Sequence, residues 1–244
     1  MKKIFYLLVL FCCSAIQAQT EKKITYNIIT GANIGGSIPL PMPAEVREIK
    51  NYKALLNLSI GVQADYHINN QWGIRSGLKL EDKGMQTSAR VANYHMSVNI
   101  NQGDEMGHKE GYYTGEITNK TVFSYLTLPV MALYELNDRL KLEGGIYASY
   151  AIKKDFKGSA RDGYIREDPT YPKVAVTEGS YDFSKDMRDW DFGLSIGADY
   201  RFYQNLSAFA MLNWGLFQTL DPDKKQVGID MYNVYFSIGL SYKL

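Results

Sequence analysis

The run Tyr232-Asn233-Val234-Tyr235-Phe236-Ser237-Ile238-Gly239-Leu240-Ser241-Tyr242-Lys243-Leu244 decides the fold. Its even positions are bulky and apolar, and its odd positions, Tyr235 apart, are small or polar. Successive side chains of a strand point to opposite faces, so a period of two marks a strand between two unlike surroundings. Strong alternation recurs in residues 54–68, 72–83, 140–153 and 189–202, with weaker forms in 24–35, 122–136 and 205–220. Eight strands are therefore expected, and no helical period competes over a comparable length.

The connections are of two kinds. Asn69-Asn70-Gln71, Asn137-Asp138 and Gln204-Asn205 are tight, Asn-rich hairpin turns. Residues 37–53, 89–120, 155–185 and 221–228 are longer polar stretches, read as loops. Short turns at one end and long loops at the other describe an up-and-down meander.

Alternation alone does not say which face is inside. An eight-stranded barrel has an interior just wide enough to be filled by side chains, too narrow for all the bulky residues of the apolar parity. The other parity carries Gly31, Gly35, Gly61, Gly77, Gly145, Gly193, Gly197 and Gly239, which suit a crowded lumen better than a solvent face. Tyr26, Tyr66, Trp72, Tyr134, Trp190, Tyr200, Tyr232 and Tyr242 sit towards strand ends, as interfacial girdles do. The segments also exceed the ~9–11 residues that a tilted strand needs to cross a bilayer. The expected fold is all-β: an eight-stranded antiparallel transmembrane barrel in the outer membrane, with short periplasmic turns and long extracellular loops.

On that reading the charges of the polar parity face inward: Asp65, Arg75, Lys79, Glu81, Glu135, Lys141, Glu143, Lys153, Asp189, Asp191, Asp199 and Arg201. Both signs are present in near balance, so a salt-bridged plug is expected rather than an open pore.

The start of the chain reads as a leader. Lys2 and Lys3 precede an apolar run, then small residues to Ala18, so residues 1–18 are expected to be a secretory signal peptide and residues 19–244 the barrel. A lipoprotein signal is the rival because of Cys12 and Cys13, but Phe11 precedes Cys12 where a small residue is usual. Both cysteines leave with the leader, which excludes disulfides and Cys metal sites from the mature chain. The formal charge of +1, from 27 basic and 26 acidic residues, becomes about −1 once Lys2 and Lys3 are gone. Such a balance offers no electrostatic footprint for nucleic acid.

Several segments also resemble a known family. Residues Tyr125-Leu126-Thr127-Leu128-Pro129-Val130-Met131, Leu142-Glu143-Gly144-Gly145-Ile146-Tyr147-Ala148, Asp191-Phe192-Gly193-Leu194-Ser195-Ile196-Gly197-Ala198, Trp214-Gly215-Leu216 and the terminal strand resemble the PorT-like outer-membrane beta-barrel family of Bacteroidetes. The resemblance implies an outer-membrane barrel, and its namesake is linked to protein secretion across the envelope. No residue here matches one known for that task. The chain ends in Leu244 rather than the aromatic usual in barrel-assembly signals, with Tyr242 on the same face.

The remaining candidates are bland. Pro129 removes a ladder hydrogen bond and reads as a bulge or kink. Asp104, Glu105, His108 and Glu110 match no defined ligand spacing, so a solvated loop is the reading and no metal or cofactor is expected. His95 or His108 with Ser88, Ser97, Ser159 or Asp162 would make a rim catalytic group only if brought together. The long loops carry Tyr94, Tyr112, Tyr113, Tyr164, Tyr171, Tyr181 and Phe183, consistent with binding or with a compact cap. The function expected first is a structural or interaction role through these loops. Its partners would be outer-membrane lipid, the barrel-assembly machinery during biogenesis, and an envelope protein or surface glycan. A narrow channel or ligand conduit is second, and a rim lipid- or peptide-modifying enzyme third.

Overall fold

The computed structural model describes residues 23–102, 105–168, 170–223 and 229–244. The expected leader lies outside the described residues. The described residues form ten strands: β1 (Ile24–Pro39), β2 (Val46–Ala54), β3 (Leu58–His67), β4 (Trp72–Gln102), β5 (Glu105–Glu135), β6 (Leu140–Arg166), β7 (Val174–Asp182), β8 (Trp190–Tyr203), β9 (Leu206–Gln218) and β10 (Met231–Lys243). Eight of them close a ring in the order β1-β3-β4-β5-β6-β8-β9-β10, every neighbouring pair antiparallel. β1 meets β10 from Asn27 opposite Lys243 to Pro39 opposite Met231, which closes the ring. No helix among the described residues is long and apolar enough to cross a membrane.

The lower part of the ring is inside out relative to a soluble protein. Ile28, Ile60, Val62, Leu78, Leu128, Ile146, Leu194, Ile196, Leu212 and Ile238 are exposed on its outer surface, while Asn27, Gln63, Asp65, Arg75, Glu143, Asn213 and Ser237 are buried inside. So large a continuous apolar surface is stable only against something apolar. Two short turns are built alike. The Asn69 side chain accepts hydrogen bonds from the main-chain N–H of Gln71 (2.9 Å) and Trp72 (2.8 Å). Asn137 does the same for Arg139 and Leu140, both at 2.9 Å. A side chain that supplies its own turn is why Asn sits there.

The polar stretches 37–53, 89–120 and 155–185 are largely strand, contrary to the loop reading. β4 and β5 run for 31 residues each and β6 for 27. At about 3.3 Å per residue, 31 residues reach roughly 100 Å along the strand, far beyond the ~30 Å of a bilayer core. β7 joins the projecting ends of β6 and β4, so β4, β5, β6 and β7 close a second, smaller ring above the first. β2 lies along the outer edge of β4.

This cap has its own apolar core, including Val91, Met96, Val98, Tyr113, Phe123, Phe156, Ala160, Val176, Tyr181 and Leu220. Bulges hid it from the alternation rule. In β4 the inward side chains are Ala89 and Val91, then Tyr94, Met96, Val98 and Ile100, with a register shift between Val91 and Tyr94. Asn93 takes a left-handed φ of 56° at that shift, a conformation Asn tolerates. In β6 the inward set moves from Phe156 and Ala160 to Ile165 across Asp162, whose φ is 50°. An extra residue exchanges the two faces of a strand.

Phe123, fully buried and stacked on Tyr125 with centroids 4.9 Å apart, tests that core. Phe123→Ala is expected to cost about 3–5 kcal/mol. In lipid-reconstituted protein it opens the cap to trypsin around Lys109 and Lys120, whereas Ile196→Ala on the exposed wall does not. Equal protease resistance of Phe123→Ala and the unaltered protein would show that the cap does not depend on this core.

Candidate functional site

The lumen of the lower ring holds two clusters of buried charge. Nearer the short turns, Asp65 on β3 and Arg75 on β4 are direct cross-strand partners. The guanidinium grips the carboxylate with two bonds, Nε to Oδ1 at 2.7 Å and Nη2 to Oδ2 at 2.8 Å. Its remaining edge crosses the lumen to Glu143 Oε2 at 3.0 Å and lies 3.7 Å from Asp199 Oδ2. Only a guanidinium offers such a fork to several carboxylates at once. At the mouth below, Lys141 Nζ pairs with Glu135 at 2.9 Å and stands 4.0 Å from Asp65, and His67 Nδ1 lies 3.4 Å from Glu135.

The second cluster centres on Lys83, whose side chain is 1% exposed. Its Nζ lies 3.4 Å from Glu81 Oε1 and 3.8 Å from Asp191 Oδ2, among the rings of Tyr147 (4.8 Å), Tyr125 (5.2 Å) and Tyr235 (5.6 Å). Aromatic faces and two carboxylates together compensate a cation removed from water. Glu81 also receives Lys79 Nζ and the Thr127 hydroxyl, both at 2.8 Å. Asp191 receives Asn233 Nδ2 at 2.9 Å and the Tyr147 hydroxyl at 3.2 Å. A cavity of about 20 Å³ lies between the clusters, lined by Arg75, Lys79, Glu143 and Tyr147 among others. That is room for about one water.

Three of the twelve charges named from sequence stand outside the two clusters and the half-buried Lys141–Glu135 pair at the mouth. Lys153 is on the outer face, 62% exposed and paired with Asp155 at 3.4 Å. Ile152 is the reason: register passes from Ser124 opposite Lys153 to Tyr125 opposite Ala151, so one extra residue turns β6 over. Asp189 precedes β8, 55% exposed and bonded to Lys154 at 2.5 Å. Arg201 donates to the carbonyl of Asp138 beside a short turn. Conversely, Lys83 went unnamed although it shares the parity of Arg75, Lys79 and Glu81. An uncharged chain also went unnamed. Ser195 donates to Asn213 Oδ1 (2.7 Å), Asn213 to Ser237 Oγ (2.9 Å), and Ser237 to Asn33 Oδ1 (2.6 Å), linking four strands.

The Tyr and Trp residues named from the sequence as girdles lie towards the ends of the wall strands. Trp72 and Tyr134 touch at 4.9 Å near the short turns, where Tyr26, Tyr66, Tyr200 and Tyr242 are also exposed. At the cap end Trp190 packs 5.0 Å from Tyr150, and Tyr232 is half-buried. Pro129 corrects the bulge reading. The β4–β5 register is the same on either side of it, and its carbonyl accepts the Ser76 hydroxyl at 2.9 Å.

Among the described residues neither His95 nor His108 hydrogen-bonds Ser88, Ser97, Ser159 or Asp162, although Ser97 stands directly opposite Glu110. His95 lies 3.9 Å from Glu110, His108 Nδ1 is 3.0 Å from Asn99 Oδ1, and Ser88 bonds Thr118 at 3.0 Å. Asp104 and the Glu105 side chain lie outside the described residues. Among those described, no three His, Cys, Asp or Glu side chains cluster as metal ligands. Burial pushes the Tyr113 phenol up to about 12 and raises those of Tyr94 and Tyr181. Bonds from Lys50 and Arg90 hold the Glu116 carboxyl below its ordinary range and tie β2 to β4 and β5.

Residues 17–221 match the family model described as outer membrane protein beta-barrel domain. The chain belongs to that family. As a family member it is an outer-membrane barrel, and the apolar wall is the surface that meets lipid. No curated protein matches the sequence. Among solved structures the barrel is similar to the attachment invasion locus protein Ail of Yersinia pestis, at 12% identity over 91% of this chain and 97% of that one, TM-score 0.38. It is similar to a major outer membrane protein from Thermus thermophilus, at 13% over 91% and 99%, TM-score 0.40. The protease OmpT of Escherichia coli stands at 13% over 92% and 98%, TM-score 0.32. No role for this barrel follows from these likenesses.

Removing Arg75 leaves Asp65, Glu143 and Asp199 buried without their shared cation. Arg75→Met is therefore expected to destabilise the barrel by about 3–5 kcal/mol. The readout is urea unfolding in lipid, followed by the gel mobility of the folded form. Lys83→Met costs less, because Glu81 keeps Lys79 and Thr127 while Asp191 keeps Asn233 and Tyr147. An unchanged urea midpoint for Arg75→Met would remove the cluster's structural role.

Proposed function

We propose that this outer-membrane barrel is a sealed anchor that displays a rigid cap to partners outside the cell. The observation that carries this reading is the continuity of β4, β5 and β6 from the lipid-facing wall into a cap with its own core. A strand that never breaks transmits no hinge, so the cap is held at a set height and orientation. The charge clusters act as the plug, and the end aromatics as girdles at the two interfaces. On this reading the partners are an envelope protein or surface glycan met by the cap, outer-membrane lipid around the wall, and the barrel-assembly machinery acting on the terminal strand. A secretory leader ending at Ala18 supplies export, and the PorT-like branch in Bacteroidetes is the placement its strand motifs support.

Two measurements test the proposal. In planar bilayers the reconstituted protein is expected to give no stable discrete conductance, and a persistent open state would make it a channel instead. On intact cells, a membrane-impermeant maleimide is expected to label Lys109→Cys in the cap and spare Asn70→Cys in a short turn. The reverse pattern would put the cap in the periplasm and overturn its display.

A further inference from the structure

At the cap end of the wall a cavity of about 310 Å³ opens where β8 begins. Its apolar side continues the lipid-facing surface. Trp190 and Phe192 stack at 5.9 Å, Phe217 meets Phe192 edge-on at 5.7 Å, and all three are about half exposed. Its polar side comes from the segment that links the cap to β8. Lys154 Nζ is held there by the Met187 carbonyl at 2.6 Å and Asp189 Oδ1 at 2.5 Å, so that charge is matched. Asp221, also on the rim, accepts from the N–H of Asp223 at 3.2 Å.

Arg188 differs from these. No carboxylate among the described residues comes within ion-pair reach of it, and its Nε is buried without a hydrogen-bond partner. Its main chain is pinned, its N–H donating to the Thr219 carbonyl at 2.9 Å. Across that bond, Thr219 Oγ1 and the neighbouring Gln218 Oε1 are buried without partners as well. A guanidinium at the edge of an apolar wall is costly unless an anion meets it.

We propose that this cavity binds the phosphate-bearing headgroup of an outer-leaflet lipid. The phosphate lies against Arg188, and the acyl chain runs down Trp190, Phe192 and Phe217. Three features converge on that occupant. A guanidinium fork matches two phosphate oxygens. Lys154 has a third N–H beyond the two its described partners take. The aromatic floor stands at the end of the wall, at the height of lipid headgroups. A glycerophospholipid and a phosphorylated saccharolipid share this chemistry.

The test uses the full barrel in detergent micelles, with native mass spectrometry against phosphatidylglycerol, phosphorylated lipid A, dephosphorylated lipid A and diacylglycerol. Binding of phosphatidylglycerol, lipid A or both is expected, with diacylglycerol and dephosphorylated lipid A at least tenfold weaker. Selective binding of one names the source. Arg188→Gln is expected to abolish the difference, whereas Arg188→Lys and the distant Lys109→Gln keep most of it. A second readout needs no change at Arg188. In a Trp72→Phe, Trp214→Phe background, brominated phosphatidylglycerol or brominated lipid A should quench Trp190 at concentrations where brominated diacylglycerol does not. Equal binding of lipids with and without phosphate, no binding of either phosphate lipid, or undiminished selectivity in Arg188→Gln would each overturn the proposal and leave an annular contact only.

Discussion

The structure depends on one constraint: in hydrocarbon, with no water to receive them, the wall's N–H and C=O groups must find partners within the chain. The junction of β1 with β10 meets it by converting a meander with two open edges into a ring with none. Closure at eight strands then sets the lumen's width, and the lumen's contents follow from that width. Gly31 stands opposite Gly239, and a Cβ on either would come within 3.1 Å of the Phe209 ring. A Cβ on Gly193 would sit 2.5 Å from the Tyr147 ring. At these three positions an aromatic ring already fills the space that a side chain would need.

Lipid outside and a narrow lumen inside reverse the usual placement of charge. Arg75 and Lys83 are among the least exposed side chains in the molecule, and each is surrounded by acceptors from several strands. Pairing of this kind makes burial tolerable more than it adds stability, and removing one partner is the expensive event. Between the two clusters the remaining cavity has room for about one water. Beyond the lipid the constraint changes. The strands of the cap face water outside and bury Val91, Met96, Phe123 and Val176 within, the ordinary arrangement of a soluble β structure.

That change of surroundings explains what was legible in the sequence. In the run from Tyr232 to Leu244 the lipid face and the lumen face differ sharply, so period two survives in the letters, and all eight strands of the ring follow from it. Above the wall, shifts at Asn93 and Asp162 split each strand into two shorter patterns of opposite parity, and polar residues on the wet face dilute both. The cap therefore reads as loop. Lys153 was misplaced for the same reason, one extra residue at Ile152. Lys83 was legible, being in phase with Arg75, but it stood at the end of the alternating run. Arg188 lies in a segment with no period, and only the fold brings it to the aromatic wall.

The central claim is that wall and cap are one continuous sheet around a filled lumen. Amide hydrogen exchange of the protein in lipid nanodiscs tests it most directly. Residues 94–100, 112–122 and 156–165 should be protected for hours, on the timescale of 58–66 and 234–242 in the wall, with fast exchange confined to the connections. Exchange of the three cap segments within seconds, while the wall stays protected, would mean that they are loops after all and would contradict the account.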